Sequence, residues 1–393
     1  MFVLKKFGCR VFQSTFYMAS PFLPYREPHL IKSYDEFSSI FKKEKISSIL
    51  IVTRRLSGKI EKALKENSVN YVVYDKALPD PTVDNVEEAL ELYQKNNCDA
   101  LMAIGGGSAI DCAKAVGARV DYPKKSLEQL GGVLKIRKKL PTLIAVPTTS
   151  GTGSEVTLAS VIRDPIRHKK YALMSFPLIP NYALLDATLT YSLPPHLTAT
   201  TGMDALTHAV EAYIGRSITK KTRKIAIDAI KMIFENIEIA YCDGDNTNAR
   251  ENMLHASYKA GVAFSVSYVG YIHAISHSLG GKYGIPHGLA NAVVMPYVLE
   301  GYGKSVYKKL YNLGLSVGAC NEDDTYKVGA EKFIQAIRDL NERMNIPNKF
   351  SEIEKADIPQ MAAYAEKEAN PLYPVPKLMD RTELEAFYHR MLK

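Results

Sequence analysis

No run of about 18 apolar residues occurs in the 393-residue chain, so no segment is expected to span a membrane. Cysteine is sparse as well: Cys9, Cys98, Cys112, Cys242 and Cys320 are all there are, with no CxxC pair and no regular spacing. An odd, scattered set argues against a disulfide framework and points to a reducing compartment, the cytoplasm. Cys98 and Cys112 are expected to be core thiols. Internal repeats and low-complexity tracts are absent. The net charge of +8 forms no basic stripe interleaved with aromatics, because the Lys and Arg are spread along the chain among acids. Nucleic acid is therefore not an expected partner, and the surplus suits an anionic cofactor instead.

What remains is an ordinary globular composition, 46% apolar and 23% charged, on a chain long enough for two domains with separate cores. Before Pro24, Lys5, Lys6 and Arg10 sit among Phe, Val, Met and Tyr, and no acid precedes Glu27. A targeting peptide would share that charge pattern, but Gln13, Ser14 and Thr15 break the apolar stretch after Arg10. We read residues 1–29 as a helical N-terminal extension packed on the body, with a membrane-surface helix as the alternative.

From residue 30 a regular alternation begins. Short apolar runs at Ser48–Thr53, Val69–Tyr74, Ala100–Ile104 and Leu143–Val146 have the look of buried parallel strands. Amphipathic stretches from Gly58, Val83 and Ile110 lie between them. Strand–helix alternation with short turns predicts a doubly wound parallel α/β sheet over 30–191, whose ligands bind beyond the carboxyl ends of the strands. Past Leu197 only helical stretches follow, including Lys220–Tyr241 and Ala330–Met344, which predicts an all-helical domain over 192–393.

The helical half carries the densest chemistry. Asp204 and His208 in Gly202-Met-Asp-Ala-Leu-Thr-His208 are four residues apart, and so are His273 and His277. Each pair projects from one helix face. His287 follows in Pro286-His-Gly288. A single pair of this kind is usually a solvated helix face. Two pairs plus a further histidine, among Ala205, Leu206, Ala209, Val210, Ile272, Ala274, Ile275 and Leu279, are polar groups on apolar helices and need partners or an ion. Imidazoles with one carboxylate suit a divalent transition metal.

The first half offers a second signal. Gly105-Gly106-Gly107-Ser108…Asp111…Lys114 joins a predicted strand to a helix. It is not the GxGxxG fingerprint, yet three glycines let backbone N–H groups approach a diphosphate at a helix start. Pro147-Thr-Thr-Ser-Gly-Thr-Gly-Ser-Glu155 also follows a strand, and its hydroxyls and glycines suit the lining of a cofactor channel.

Taken in order, these motifs resemble the iron-containing (group III) alcohol dehydrogenases over roughly residues 30 to 390. The resemblance implies a Rossmann-like N-terminal domain, a helical metal domain and an active site in the cleft between them. It implies Asp204, His208, His273 and His287 as metal ligands, with His277 the nearby histidine that does not ligate. Gly106, Gly107, Ser108 and Asp111 match the cofactor loop, with Thr148, Thr149 and Thr152 beside it and Lys170 as the cofactor-side lysine. Fe²⁺ is the implied metal; Zn²⁺ also suits three imidazoles and a carboxylate, and binds a generic site more tightly. A homodimer is implied too.

Two departures stand out. Members that use NAD often carry an acid just after the first strand, and here Thr53-Arg54-Arg55 occupies that place. A guanidinium pairs with a 2′-phosphate, so NADP(H) is the expected cofactor, with NAD the alternative. Asp80 stands before Pro81 where the family commonly has Asn. The activity so implied is hydride transfer between a small alcohol or aldehyde and the nicotinamide, with His277 relaying the alcohol proton or serving only as a hydrogen-bonded wall. A dehydroquinate synthase-like lyase would need a basic cluster for an acidic substrate, whereas residues 257–283 offer Phe264, Tyr268 and Tyr271. A non-catalytic nucleotide- and metal-binding protein would have no need of both sets of motifs intact.

Overall fold

The computed structural model describes residues 2–19, 24–167 and 169–393; residues 20–23, within the expected N-terminal extension, lie outside them. The chain divides into two compact units, Pro24–Ser192 and a second made of Met1–Leu23 with Leu193–Lys393. The divisions thus fall at 24 and 193, beside the expected 30 and 192.

The first helix, α1 (Phe2–Ala19), belongs to the second unit. Cys9 is in the core of that unit, and Arg10 donates to the carbonyls of Val375 (2.8 Å) and Pro376 (3.0 Å). Gln13 Nε2 donates to the carbonyl of Tyr373 at 2.7 Å. Away from these contacts Phe7, Val11, Phe12 and Met18 are exposed.

In the α/β unit the chain runs β1 (His29–Ile31), α2 (Glu36–Glu44), β2 (Ser48–Val52), α3 (Gly58–Glu66), β3 (Asn70–Tyr74) and α4 (Val83–Lys95). It continues with β4 (Ala100–Gly105), α5 (Gly107–Asp121), α6 (Leu127–Leu130), β5 (Gly132–Val133), β6 (Thr142–Pro147), β7 (Ala159–Asp164), β8 (Lys169–Met174) and β9 (Tyr182–Leu184). Six strands form one parallel sheet in the order β1-β9-β6-β4-β2-β3.

The apolar runs of the central strands are explained by burial on both faces. Successive residues point to opposite sides. Leu50, Val52, Leu101, Ala103, Leu143 and Ala145 pack with α4 and α5, while Ile49, Ile51, Met102, Ile104, Ile144 and Val146 pack with α2 and α3. The sheet is doubly wound, as the alternation predicts. A second sheet, β5-β8-β7, has no counterpart in the sequence analysis. Its hairpin strands carry Arg163, Asp164, Lys169 and Lys170, and such a charged stretch has the look of a loop. Strand β6 pairs with β4 through Gly105 and Pro147, so both chain segments leave the sheet from the same rung.

The helical unit continues with α7 (Pro195–Ile214), α8 (Lys220–Cys242), α9 (Thr247–Ser267), α10 (Tyr271–Tyr283) and α11 (His287–Tyr302). Then come α12 (Tyr307–Ser316), α13 (Tyr326–Arg343), α14 (Ile358–Ala369) and α15 (Arg381–Met391). From Gly202 to Ile214, α7 is buried on every side. This is why its sequence is apolar all round apart from a few groups that must find partners.

Candidate metal centre

Asp204 and His208 lie one turn apart on α7, His273 in the first turn of α10, and His287 is the first residue of α11. Donor atoms of Asp204, His208 and His273 all lie within 4.8 Å of one another, and the three side chains are almost fully buried. His287 Nε2 is 3.5 Å from Asp204 Oδ1, and its side chain is 38% exposed, the most open of the four. Gly288 permits this approach: a Cβ there would sit 2.3 Å from the carbonyl oxygen of Thr200 on α7.

The His273 imidazole is held in the form a metal requires. Burial, with the neighbouring His208, His287 and His277, drives the His273 pKa well below its ordinary value, so the ring is neutral. Glu211, one turn beyond His208, places Oε2 2.6 Å from His273 Nδ1, which leaves Nε2 as the nitrogen that faces the centre. Glu211 also accepts the N–H groups of Gly270 (2.7 Å) and Ile272 (2.8 Å). Burial pushes its carboxyl up to about 8, against the pull of those donors.

Asn291, fully buried on α11, tests whether an ion fits. Its Nδ2 lies 2.7 Å from Asp204 Oδ1, 3.1 Å from His287 Nε2 and 3.3 Å from His273 Nε2. Three acceptor atoms therefore face one point. The two protons of an amide cannot serve three acceptors at once, whereas a cation can. Two imidazoles, a carboxylate and a third imidazole at the open side are the donors that Fe²⁺ and Zn²⁺ accept.

His277 stands apart from the buried group. Its ring stacks on His287 with centroids 5.0 Å apart, and its Nδ1 donates to Glu368 Oε1 at 2.6 Å. Glu368 also accepts the Tyr373 hydroxyl at 2.8 Å. Burial alone would raise the Glu368 carboxyl; His277 and Tyr373 outweigh it and hold it below its ordinary value. Phe264 stacks on His208, ring centroids 4.1 Å apart. Tyr271, in contrast, does not line the site: it is wholly buried and its hydroxyl donates to Asn370 Oδ1 at 2.9 Å. The segment 257–283 thus supplies an apolar neighbour through Phe264 and not through Tyr271.

In the α/β unit the glycines form the start of a helix. Gly106 is the N-cap and Gly107 opens α5, three residues ahead of the Ile110 start read from apolar spacing. The first N–H groups of a helix have no partner within it, so they are the donors an anionic group would meet. Thr148 N donates to the carbonyl of Gly105 at 3.0 Å, which holds the hydroxyl-rich loop beside the glycines. A Cβ on Gly107 would lie 2.8 Å from Thr152 Cγ2, and one on Gly106 would lie 3.2 Å from Thr149 Oγ1. Ser108 Oγ accepts the Asp80 N–H at 3.3 Å, and Lys170 Nζ donates to Asp80 Oδ2 at 2.9 Å. Asp80 has φ of 56°, a left-handed conformation that Asp and Asn tolerate alike, which accounts for the exchange of one for the other. Arg54 is exposed, two residues past the end of β2.

Asp111 is held by groups of the protein itself. Ser154 Oγ donates to Oδ1 at 2.7 Å and Val161 N to Oδ2 at 2.9 Å, so both oxygens are engaged within the protein. It braces the hydroxyl-rich loop from behind. Lys114 does the same, donating to Ser154 Oγ, Thr157 Oγ1 and the carbonyls of Thr157 and Ala159. Its burial lowers the ammonium to about 8, while burial raises the carboxyl of neighbouring Glu155 to about 7.

Glu211, Asn291 and Glu368 escape the motif analysis. Glu211 had a signal, since it stands seven residues past Asp204 on the same helix face. Asn291 is one turn past His287. Glu368 lies 91 residues from His277 and carries no local signal.

Comparison with known proteins gives consistent matches. Residues 31–187 match the family described as iron-containing alcohol dehydrogenase, and residues 198–392 match the Fe-containing alcohol dehydrogenase family, C-terminal. The 1,3-propanediol dehydrogenase of Citrobacter freundii is 37% identical over 318 residues, 80% of this chain and 82% of the relative. The NAD-dependent methanol dehydrogenase of Bacillus methanolicus is 36% identical over 312 residues, 79% of this chain and 82% of the relative. A crystal structure of 1,3-propanediol oxidoreductase superposes with a TM-score of 0.89 at 32% identity, covering 94% of this chain and 99% of the other. Among the described residues no helix is long and apolar enough to cross a membrane.

Proposed function

The chain belongs to the iron-containing alcohol dehydrogenase family, and on that premise we propose that it interconverts a primary or small secondary alcohol and its carbonyl compound with NADP(H). It is an oxidoreductase. In the oxidising direction the alcohol and NADP⁺ give the aldehyde or ketone, NADPH and a proton. The observation that carries this function is the convergence of Asp204, His208 and His273 within 4.8 Å in a buried site. A divalent ion there, Fe²⁺ by family and Zn²⁺ as the alternative, supplies a Lewis acid that lowers the pKa of an alcohol hydroxyl, and the nicotinamide supplies the hydride chemistry.

Asp204, His208 and His273 would hold the ion, and His287 would complete the set at the open side. Phe264, stacked on His208, keeps the neighbourhood apolar, which suits an uncharged alcohol. His277 accepts the alcohol proton at Nε2 and passes it to solvent; Glu368 fixes its ring through Nδ1. The first-turn N–H groups at Gly106, Gly107 and Ser108 bind the diphosphate, with Thr148, Thr149 and Thr152 alongside. Asp80 and Lys170, already paired, sit at the same helix start.

For the coenzyme, the exposed guanidinium of Arg54, next to Arg55, favours a 2′-phosphate. The NAD-dependent methanol dehydrogenase relative makes this the point to test. The five cysteines are all free thiols, which supports a cytoplasmic location, and a homodimer is carried forward from the family for sedimentation to check.

The decisive experiment combines metal analysis of anaerobically purified protein with consumption of NADPH and NADH over a panel of aldehydes. Iron with NADPH-dependent reduction is expected. A higher kcat/KM with NADH would refute the coenzyme assignment. No NADPH consumption by metal-loaded protein would point instead to the lyase or to a protein without turnover.

A further inference from the structure

Asp204, His208 and Glu211 stand at i, i+4 and i+7 on α7, so all three project from one helix face. The first two bring donor atoms to the centre, and the third reaches past them to α10. Glu211 Oε2 accepts the Gly270 N–H at 2.7 Å and the His273 Nδ1–H at 2.6 Å, while Oε1 accepts the Ile272 N–H at 2.8 Å. Gly270 is the N-cap of α10, and Ile272 is in its first turn. Both N–H groups therefore lack partners within the helix. One carboxylate caps α10 and orients the histidine that α10 carries. Room for it comes from Gly270, where a Cβ would lie 2.7 Å from Glu211 Oε1. Two backbone N–H groups and one imidazole nitrogen thus converge on the two oxygens of one buried carboxyl group.

We propose that Glu211 is a positioning residue for the metal, acting through His273. By accepting from Nδ1 it fixes the tautomer that leaves Nε2 to ligate. This rests on Asp204, His208 and His273 being ligands.

The test is metal affinity, not turnover. Protein stripped by a chelator is titrated with Zn²⁺ in competition with a chromophoric chelator, and the absorption spectrum of the Co²⁺ form is recorded. Glu211→Gln keeps the size but cannot accept from all three donors, and is expected to weaken Zn²⁺ binding about 10- to 100-fold and to alter the cobalt spectrum. Gly270→Ala, which displaces the carboxylate, should act in the same direction and decides the matter if Glu211→Gln does not fold. Affinity within about twofold of wild type, with Asp204→Ala losing the metal, would overturn the role of Glu211 and leave the ligands standing. Weaker binding with an unaltered cobalt spectrum would overturn it too, because a purely structural cap gives that result. If Asp204→Ala also binds Zn²⁺ as tightly as wild type, the ligand assignment falls and the role of Glu211 with it.

Discussion

At the metal centre the working atoms belong to side chains on buried helices, whereas at the start of α5 the proposed ones are backbone N–H groups made accessible by the lack of side chains. The first region is disabled by taking atoms away, and the second by adding them. The helical site needs a partner for each polar group it buries, hence the tight pairings of His273 with Glu211 and of Asp204 with Asn291. The glycine turn instead needs emptiness in front of it and bracing behind, supplied by Lys114, Asp111 and the loop at 148–155.

The contrast predicts a graded series of effects. Subtraction at the metal centre is the most damaging: Asp204→Ala should lower turnover by about 10³-fold or more, because the lost Lewis acid is worth several kcal/mol and each 1.36 kcal/mol is tenfold. Circular dichroism of the metal-free variant should nonetheless resemble wild type. Full turnover with metal retained would break the comparison at its stronger end. Addition at the glycine turn comes next. Gly107→Ala should raise the KM for coenzyme about tenfold with a smaller effect on kcat, as a Cβ there meets Thr152 at 2.8 Å. Thr152→Ala in the same chain should recover part of the loss; if it recovers none, crowding is not the cause.

Exchange of charge at the strand end should be milder still. Arg54→Asp is expected to shift the NADP/NAD ratio of kcat/KM toward NAD by about 10-fold, the worth of a charge-assisted hydrogen bond. An unchanged ratio would remove Arg54 from coenzyme selection. The smallest effect concerns the bracing. The Glu155 carboxyl is raised from 4.5 to about 7, so between those values the folded protein holds a proton that the unfolded chain does not. Stability from this group therefore falls as pH rises from 4.5 to 7. Glu155→Gln cannot titrate, and its melting temperature should gain on wild type by a few degrees across that interval. A constant difference between the two proteins would mean that Glu155 does not titrate there.

How far each region is legible in sequence follows from the same contrast. Ligands on helices announce themselves by spacing, so Asp204 with His208 and the His273 turn are visible before any fold is known. Central strands are visible because burial on both faces leaves an unbroken apolar run, as at Ile49 to Val52. Partners brought from elsewhere in the chain are not: nothing near His277 points to Glu368, and nothing near Tyr271 reveals that its hydroxyl is claimed by Asn370. Asp111 follows the cofactor motif in sequence while its side chain turns to Ser154 and Val161, an orientation that only the packing of β7 decides. The hairpin of β7 and β8 stays hidden because its charged alternation is what an exposed loop also shows.

The N-terminal helix leaves a consequence for how the protein is made. Arg10 and Gln13 find their acceptors at Val375, Pro376 and Tyr373, some 360 residues further along. On a ribosome adding about 5–20 residues per second, α1 waits roughly 20–70 seconds for that segment to emerge. Throughout that interval the apolar side chains of an early-born helix stand without their final neighbours, and a chaperone or the ribosome surface is where they would shelter.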